Sequence, residues 1–286
     1  MKGIILAAGK GTRMYPMTHP VCKPLIPVYD KPMIYYPLSV LMQAGIREIL
    51  IITPPDEMSP FVKLLGDGSE LGIQLSYRVQ KTPRGIADAF MVGRHFIGDD
   101  SVCLVLGDNI FYGESFTEKL RSAAGQSSGA TVFGYYVDDP RPFGVVEFDK
   151  NGKAVSIEEK PQQPKSNYII PGLYFCDNRA VKIAEQVQPS ARGELEITSV
   201  ISTYMEQGDL QVIPLEDDFT WLDAGNADSL LASANTIARI QKDTGHMIAC
   251  LEEIAWRAGF ITKAMLLERT EELKKTNYGA YLSTLY

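Results

Sequence analysis

Gly3-Ile4-Ile5-Leu6-Ala7-Ala8-Gly9-Lys10-Gly11-Thr12-Arg13 is the stretch that decides the fold of this chain. Gly3 to Ala8 is an unbroken apolar run of strand length, the pattern of a strand buried on both faces. The run then stops at two glycines and an arginine. In an α/β sheet such a junction is the carboxyl end of a strand, where ligands usually bind. Glycines let backbone N–H groups approach phosphate oxygens closely, and Arg13 can add a bidentate fork. A plain strand-to-helix turn would use the same glycines, so the loop needs support from elsewhere in the chain. Two familiar phosphate loops do not fit. A Walker A loop ending at Gly9-Lys10 requires glycine where Ile4 stands, and the dinucleotide fingerprint requires glycine where Met14 stands.

Working outward, short apolar runs alternate with helical spacing. Strands are expected over residues 3–8, 48–53, 73–79, 102–106 and 130–137, and helices over about 33–44, 59–65, 86–96 and 116–124. That alternation implies parallel βαβ units in an open, doubly wound α/β sheet. The rhythm then changes to strands at 144–148, 154–158 and 172–175, with helices at about 180–187 and 195–206. From about residue 227 onward the spacing is helical. A core over 1–226 with a helical C-terminal appendage over 227–286, packed against it, is the expected organisation.

The bulk numbers narrow the function. With 286 residues, 45% apolar and 22% charged, the chain can bury a large core and has an ordinary enzyme composition. A net charge of −7 argues against a nucleic-acid polymer or an anionic membrane as partner. It leaves room for a phosphorylated substrate held by a few cations in a cleft. Cys22, Cys103, Cys176 and Cys250 are far apart, which suits buried thiols in a reducing compartment. With no signal-peptide pattern and no apolar run near the roughly 18 residues of a membrane span, a cytoplasmic location is expected.

Further chemistry sits at strand ends. Lys23 is followed by Pro24 in a stiff segment and can hold a phosphate as a point charge. Asp108 ends an apolar strand, a natural place for a Mg²⁺ ligand whose shell substrate phosphates complete. Asp223, between Trp221-Leu222 and Ala224-Gly225, suggests a fixed turn and a second ligand, although a lone Asp is more often a turn residue or helix cap. Lys160 could bind a monophosphate and Glu159 a sugar hydroxyl; standing alone, both would read as a charged strand end. His19, His95 and His246 are scattered, and no nucleophile-and-base set stands out. A sugar phosphate has a second pKa of about 6 and is already ionised near neutral pH. It can attack a phosphorus without a general base, given positioning, Mg²⁺ and cations.

In one order along nearly the whole chain, these residues join Pro27 to Leu38, Leu65-Gly66-Asp67-Gly68-Ser69, Leu106 to Gly113, Phe143 to Glu147, Glu158 to Pro161, Gly193 to Thr198, Trp221-Leu222-Asp223 and Glu252 to Arg257. Together they resemble the sugar nucleotidylyltransferase superfamily, most closely its glucose-1-phosphate thymidylyltransferases. The resemblance implies a Rossmann-like mixed sheet with extra sugar-site strands, dTTP and glucose 1-phosphate as substrates, Mg²⁺ as cofactor and a homotetramer. It places Leu6, Ala8, Gly9, Gly11, Thr12 and Arg13 at the nucleotide, with Gln80, Pro83 and Gly85 beside the pyrimidine. It gives Gly144, Glu159, Lys160, Gly172 and Tyr174 to the sugar phosphate, and Asp108 and Asp223 to the metal. Arg13, Lys23, Asp108, Lys160 and Asp223 would carry the catalysis. Several positions depart from the thymidylyltransferase pattern. Ala8 and Pro24 stand where glycine and glutamine are usual, Arg84 where an acidic residue often precedes Gly85, and Pro171 and Ala224 where threonines are usual. A UTP-dependent or other-hexose enzyme is the near alternative, and an idle nucleotide-binding subunit a remote one. The family's effector site lies between subunits near Trp256 and Arg257. Asp217 and Asp218 stand where an arginine often helps to form it, so weakened feedback by dTDP-rhamnose is expected.

Overall fold

The computed structural model describes residues 1–216 and 219–286. Strands of its first half are β1 (Lys2–Leu6), the short pair β2 (Pro27–Val28) and β3 (Lys31–Pro32), β4 (Glu48–Thr53), β5 (Gln74–Val79), β6 (Val102–Leu106) and β7 (Asn109–Tyr112). Then come β8 (Ala130–Tyr136), β9 (Gly144–Phe148), β10 (Ala154–Glu159), β11 (Tyr168–Ile169), β12 (Leu173–Cys176), β13 (Leu210–Pro214) and β14 (Thr220–Asp223). Helices are α1 (Tyr35–Gln43), α2 (Met58–Leu65), α3 (Asp88–Ile97), α4 (Phe116–Ala124), α5 (Arg179–Gln186), α6 (Ile197–Glu206) and, at the C-terminal end, α7 (Ala227–Thr244), α8 (Leu251–Arg257), α9 (Lys263–Leu273) and α10 (Asn277–Leu282).

The main sheet runs β10-β9-β11-β8-β12-β6-β1-β4-β5, with β13 paired to β8. β1 is parallel to β4 and β6, and β4 to β5, as the βαβ rhythm predicts. The sense reverses at β12, which is antiparallel to both β6 and β8. The sheet is therefore mixed. Its parallel part carries the glycine loop, and its antiparallel part carries the later strand ends.

The continuous apolar runs have a simple cause. Side chains alternate between faces along a strand, and each face here has its own core. Ile5, Ile49, Ile51, Cys103 and Val105 pack into one, with Leu38 and Leu41 of α1 and Phe116 and Leu120 of α4. Ile4, Leu50, Ile52, Val102 and Leu104 pack into the other, with Phe90 of α3 and Val200, Ile201 and Tyr204 of α6. Leu251, Ala255, Leu266 and Leu282 of the C-terminal helices belong to the first core. α8 packs on α1, α9 on α8 and α10 on α9, so residues 251–282 extend the same core.

Six strands differ from the sequence expectation. β2, β3, β7, β11, β13 and β14 are absent from it, and the segment around Asp223, expected to be a turn, is the end of β14. β14 is paired with β7, more than a hundred residues earlier. Such a short strand has no periodicity of its own; its partner makes it. α1 and α6 start two residues later than expected, at Tyr35 and Ile197.

α7 opens directly after Asp223-Ala224-Gly225 with a capping box. The Asn226 side chain accepts from Ser229 N–H, and the Ser229 hydroxyl accepts from Asn226 N–H, both at 3.0 Å. Asn226→Ala removes one half of it and should cost about 1 kcal/mol of stability. A urea titration checks this: the midpoint should fall with the slope unchanged, and an unmoved midpoint would show that the cap contributes nothing.

Candidate active site

β6 ends at Leu106, and the N–H of Gly107 bonds Leu6 O at 3.0 Å, which keeps the ends of β6 and β1 side by side. Asp108 follows, and β7 begins at once. β7 pairs antiparallel with β14 in a register that sets Asp223 opposite Asn109. Ala224 N–H reaches Asp108 O at 3.2 Å. One short ladder thus places two distant carboxylates next to each other. Burial, and then the charge of Asp108, push the Asp223 carboxyl up to about 6, while Lys23, Arg13 and Lys160 pull it down.

Those cations come from three separate turns. Lys23 opens a 3-10 turn, Lys23–Leu25, and is 8% exposed; its Nζ lies 2.5 Å from Asp108 Oδ2. Arg13 lies in the turn Thr12–Met14, which Gly11 starts at φ +61°. A methyl group on Gly11 would also come 2.7 Å from Thr18 Cγ2, so glycine is required there on both counts. Arg13 Nη2 and the Asp223 carboxylate flank the bare Cα of Gly225: a methyl there would lie 3.3 Å from the first and 2.9 Å from the second. Lys160 follows β10 with φ +44°, an uncommon conformation for lysine, and its N–H bonds Phe143 O at 2.9 Å.

One cavity of about 710 Å³ gathers most of the expected site. Thr12, Arg13, Asp108 and Asp223 line it, as do Gly144, Glu159, Lys160, Gly172 and Tyr174. Lys23 is tied to it through Asp108. Leu6, Ala8, Gly9 and Gly11 lie on the adjoining strand end and loop, outside the lining. Gln80 borders a separate cavity of about 490 Å³ with Lys81, Thr82, Arg84 and Asp88. Pro83 and Gly85 line neither. Gly85, at φ +116°, lies against Leu195, where a methyl group would be 2.4 Å from Leu195 O. Leu195 N–H bonds Arg84 O at 2.6 Å and Ala87 N–H bonds Leu195 O at 3.1 Å. The loop after Gln80 is thereby pinned to the segment that carries Glu196 and Thr198.

The sequence reading passed over four residues. Asn109 donates from Nδ2 to Asp108 Oδ1 at 2.9 Å, and its Oδ1 accepts from Trp221 Nε1 at 2.7 Å and Gly172 N–H at 3.3 Å. It fixes one oxygen of Asp108 and ties that residue to β14. Thr198 lines the cavity against Gly144. Arg192 lines it too, within 3.5 Å of Glu159, 3.1 Å of Glu194 and 3.3 Å of Glu196. Asn109 and Trp221 sit inside quoted motifs and Arg192 immediately precedes one, so the signal was position alone. Burial, then Glu196, raise the Glu159 carboxyl, against the opposing pull of Lys160, a Thr198 hydrogen bond and Arg192.

Among the described residues no group of three His, Cys, Asp or Glu side chains gathers to cage a metal. The Asp108–Asp223 pair instead fits a hard cation that takes its remaining oxygens from substrate phosphates. None of the three histidines lines the main cavity. A further cavity, of about 280 Å³, lies between α1, α4 and α8 and is lined by Gln43, Phe116, Arg121, His246, Glu253 and Arg257. Arg257 donates to Glu253 at 2.7 Å and lies over the Trp256 ring. Asp217 and Asp218, expected near the effector, lie outside the described residues.

Comparisons with known proteins show the family and the fold. The pattern that defines the nucleotidyl transferase family matches residues 2–240. A glucose-1-phosphate thymidylyltransferase of Neisseria gonorrhoeae is 59% identical over 99% of this chain and 98% of its own length. One from Mycolicibacterium smegmatis is 52% identical over 100% of this chain and 99% of its own. Among solved structures, a Bacillus anthracis protein in complex with sucrose is 40% identical, with a TM-score of 0.76 over 82% of this chain and 94% of the other. A UDP-glucose pyrophosphorylase complexed with UDP-glucose, 22% identical, shares the fold with a TM-score of 0.73 over 84% of this chain and 98% of its own.

The raised Asp223 carboxyl has a measurable consequence. Folded protein binds that proton more tightly than unfolded chain does. The group's contribution to stability is therefore fully present below the ordinary carboxylate range and is lost as pH rises through about 6. Asp223→Asn removes the buried charge. Without metal or nucleotide, the variant should melt above the parent at about pH 8, and the gap should close between about pH 6 and 4. Melting curves across that range check it; a variant no more stable than the parent at the alkaline end would contradict the like-charge pairing.

Proposed function

The chain belongs to the nucleotidyl transferase family, and from that premise we infer that it transfers a thymidylyl group from dTTP to glucose 1-phosphate, giving dTDP-glucose and pyrophosphate. The observation that carries this reading is a single cavity in which a carboxylate pair meets phosphate-binding cations and, beyond them, polar residues fit for a sugar. Arg13, with the backbone of Gly9, Gly11 and Thr12, would hold the triphosphate, and Lys23 would share that load. Lys160 would hold the phosphate of glucose 1-phosphate, with Arg192 beside it. Glu159 would accept from a sugar hydroxyl, and Gly144, Gly172 and Tyr174 would shape the pocket. Gln80 would pair with the pyrimidine, as an amide offers one donor side and one acceptor side.

The attacking oxygen of glucose 1-phosphate arrives ionised, so no side chain has to remove a proton from it. The residues align that oxygen with the α-phosphorus and opposite the departing pyrophosphate. Arg13, Lys23 and Lys160 meet the charge that spreads over the phosphoryl oxygens. Asp108 and Asp223 would hold Mg²⁺, which supplies Lewis-acid stabilisation of the phosphates when bound. Asn109 would keep Asp108 oriented for it. The smaller cavity beside Arg257 is proposed as an effector site that a homotetramer would complete.

A panel that pairs each nucleoside triphosphate with each hexose 1-phosphate, scored by pyrophosphate release, tests the reaction. dTTP with glucose 1-phosphate should lead, and a clear preference for UTP or for another hexose would replace the assignment. Asp108→Asn should lower turnover by orders of magnitude with the fold intact; near-normal activity over a range of Mg²⁺ concentrations would remove the metal role. Lys160→Ala should raise KM for glucose 1-phosphate by roughly tenfold to a hundredfold, whereas Arg13→Ala should chiefly impair use of dTTP. The opposite split would reverse the two roles.

A further inference from the structure

Arg84 and Asp88 form a cluster with Gln80, and the chemistry above gives those two residues no part. Gln80 follows β5 and is nearly buried, its N–H bonded to Thr53 O at 2.9 Å. Asp88 is the first residue of α3 and is 1% exposed. The Gln80 amide donates from Nε2 to Asp88 Oδ2 at 2.8 Å, and Arg84 Nη2 lies 2.6 Å from Asp88 Oδ1. Asp88 is therefore a buried carboxylate held by a guanidinium on one oxygen, an amide on the other, and the favourable end of a helix dipole. Among the described residues no donor occupies Gln80 Oε1.

This arrangement removes a freedom that glutamine normally has. An amide can turn over and exchange its donor and acceptor. An ionised carboxylate only accepts, so beside Asp88 the amide must present Nε2 to it and hold Oε1 away. A turned amide would set two acceptors against each other in a buried site, a costly arrangement. The orientation matters because pyrimidines differ in the same sense. Thymine and uracil show an acceptor at position 4 and a donor at position 3; cytosine shows the reverse. An amide of fixed sense can pair with one pattern only.

We propose that Asp88 is a positioning residue that locks the Gln80 amide in one sense, so that the site takes a thymine- or uracil-type base and rejects a cytosine-type base. The inference rests on the reading that Gln80 faces the pyrimidine. Asp88 touches no reacting group, and its effect passes through Gln80. Arg84 is more than half exposed and balances the charge of Asp88 without contributing to the sense of the lock.

The test is the ratio of kcat/KM for dTTP to that for dCTP, with glucose 1-phosphate fixed. Asp88→Asn keeps the shape but can donate as well as accept, so it satisfies Gln80 in either sense. The ratio should fall by roughly tenfold or more, through a gain with dCTP as well as a loss with dTTP, while KM for glucose 1-phosphate stays put. Arg84→Ala leaves the acceptor in place and should keep the ratio. In a Gln80→Ala background, Asp88→Asn should change the ratio no further, because a lock without its bolt does nothing. Asp88→Ser carries the same expectation should the Asn variant not fold. If Gln80→Ala lowers the ratio but neither Asp88 variant does, the lock is refuted and base reading by Gln80 stands. If Gln80→Ala itself leaves the ratio unchanged, Gln80 does not read the base, and that part of the functional reading falls with the lock.

Discussion

Two carboxylates held side by side in a partly buried cleft set the terms for everything around them. Asp108 and Asp223 repel each other, and burial raises the cost. A chain selected for stability alone would keep them apart. Here a ladder of backbone hydrogen bonds between β7 and β14 holds them together, and three cations from unrelated turns draw in around them. The ladder is short, but the main sheet braces one side of it through Gly107 and Leu6, and the capped start of α7 braces the other. Stability elsewhere offsets strain here, the usual relation between a packed scaffold and a site that must bind charge.

The same logic explains how the two halves of the sheet act as one site. The parallel half ends its strands at the glycine loop and Gln80; in the antiparallel half β10 ends at Glu159 and Gly172 leads into β12. Leu195 joins them. Its backbone bonds Arg84 and Ala87 on one side, and Ile197 and Thr198, just beyond it, border the main cavity. Gly85 has no side chain at the point of contact because a Cβ would collide with Leu195 O. The loop after Gln80 is thus joined to the wall of the main cavity through main-chain hydrogen bonds.

Much of this was legible in the sequence, for reasons that differ by element. β1, β4 and β6 announced themselves because both faces are covered, which makes their inner residues an unbroken apolar run. The loop at Gly9 to Arg13 and the lysine at Lys23 read as phosphate chemistry only in combination, since a plain turn would use the same glycines and a lone lysine would read as solvated surface. β7 and β14 could not be seen, since each is defined by its partner and their pairing spans more than a hundred residues. Asp223 therefore reads as a turn residue from sequence, although the structure does set it beside Asp108, the neighbour that the resemblance implied. Asn109, Trp221 and Arg192 share this difficulty. Their side chains are common, their positions unremarkable, and their meaning lies in contacts with residues far along the chain.

The cleft also shows how an acidic chain can be built for polyanions. The net charge of −7 acts mostly through solvent, where ions screen it over roughly 8–10 Å. Inside the cavity screening is weaker, and only local balance counts. In and beside it three cations already have an anion: Lys23 has Asp108, Lys160 has Glu159, and Arg192 has Glu159, Glu194 and Glu196. These pairs keep long basic side chains ordered before any substrate arrives, so less entropy remains to be lost on binding. An incoming phosphate held there, as proposed, would exchange one anion for another at a cation already in place. Preorganisation of that kind lets a site with few cations, inside a protein of the wrong overall sign, meet the charge of a phosphoryl group in transit.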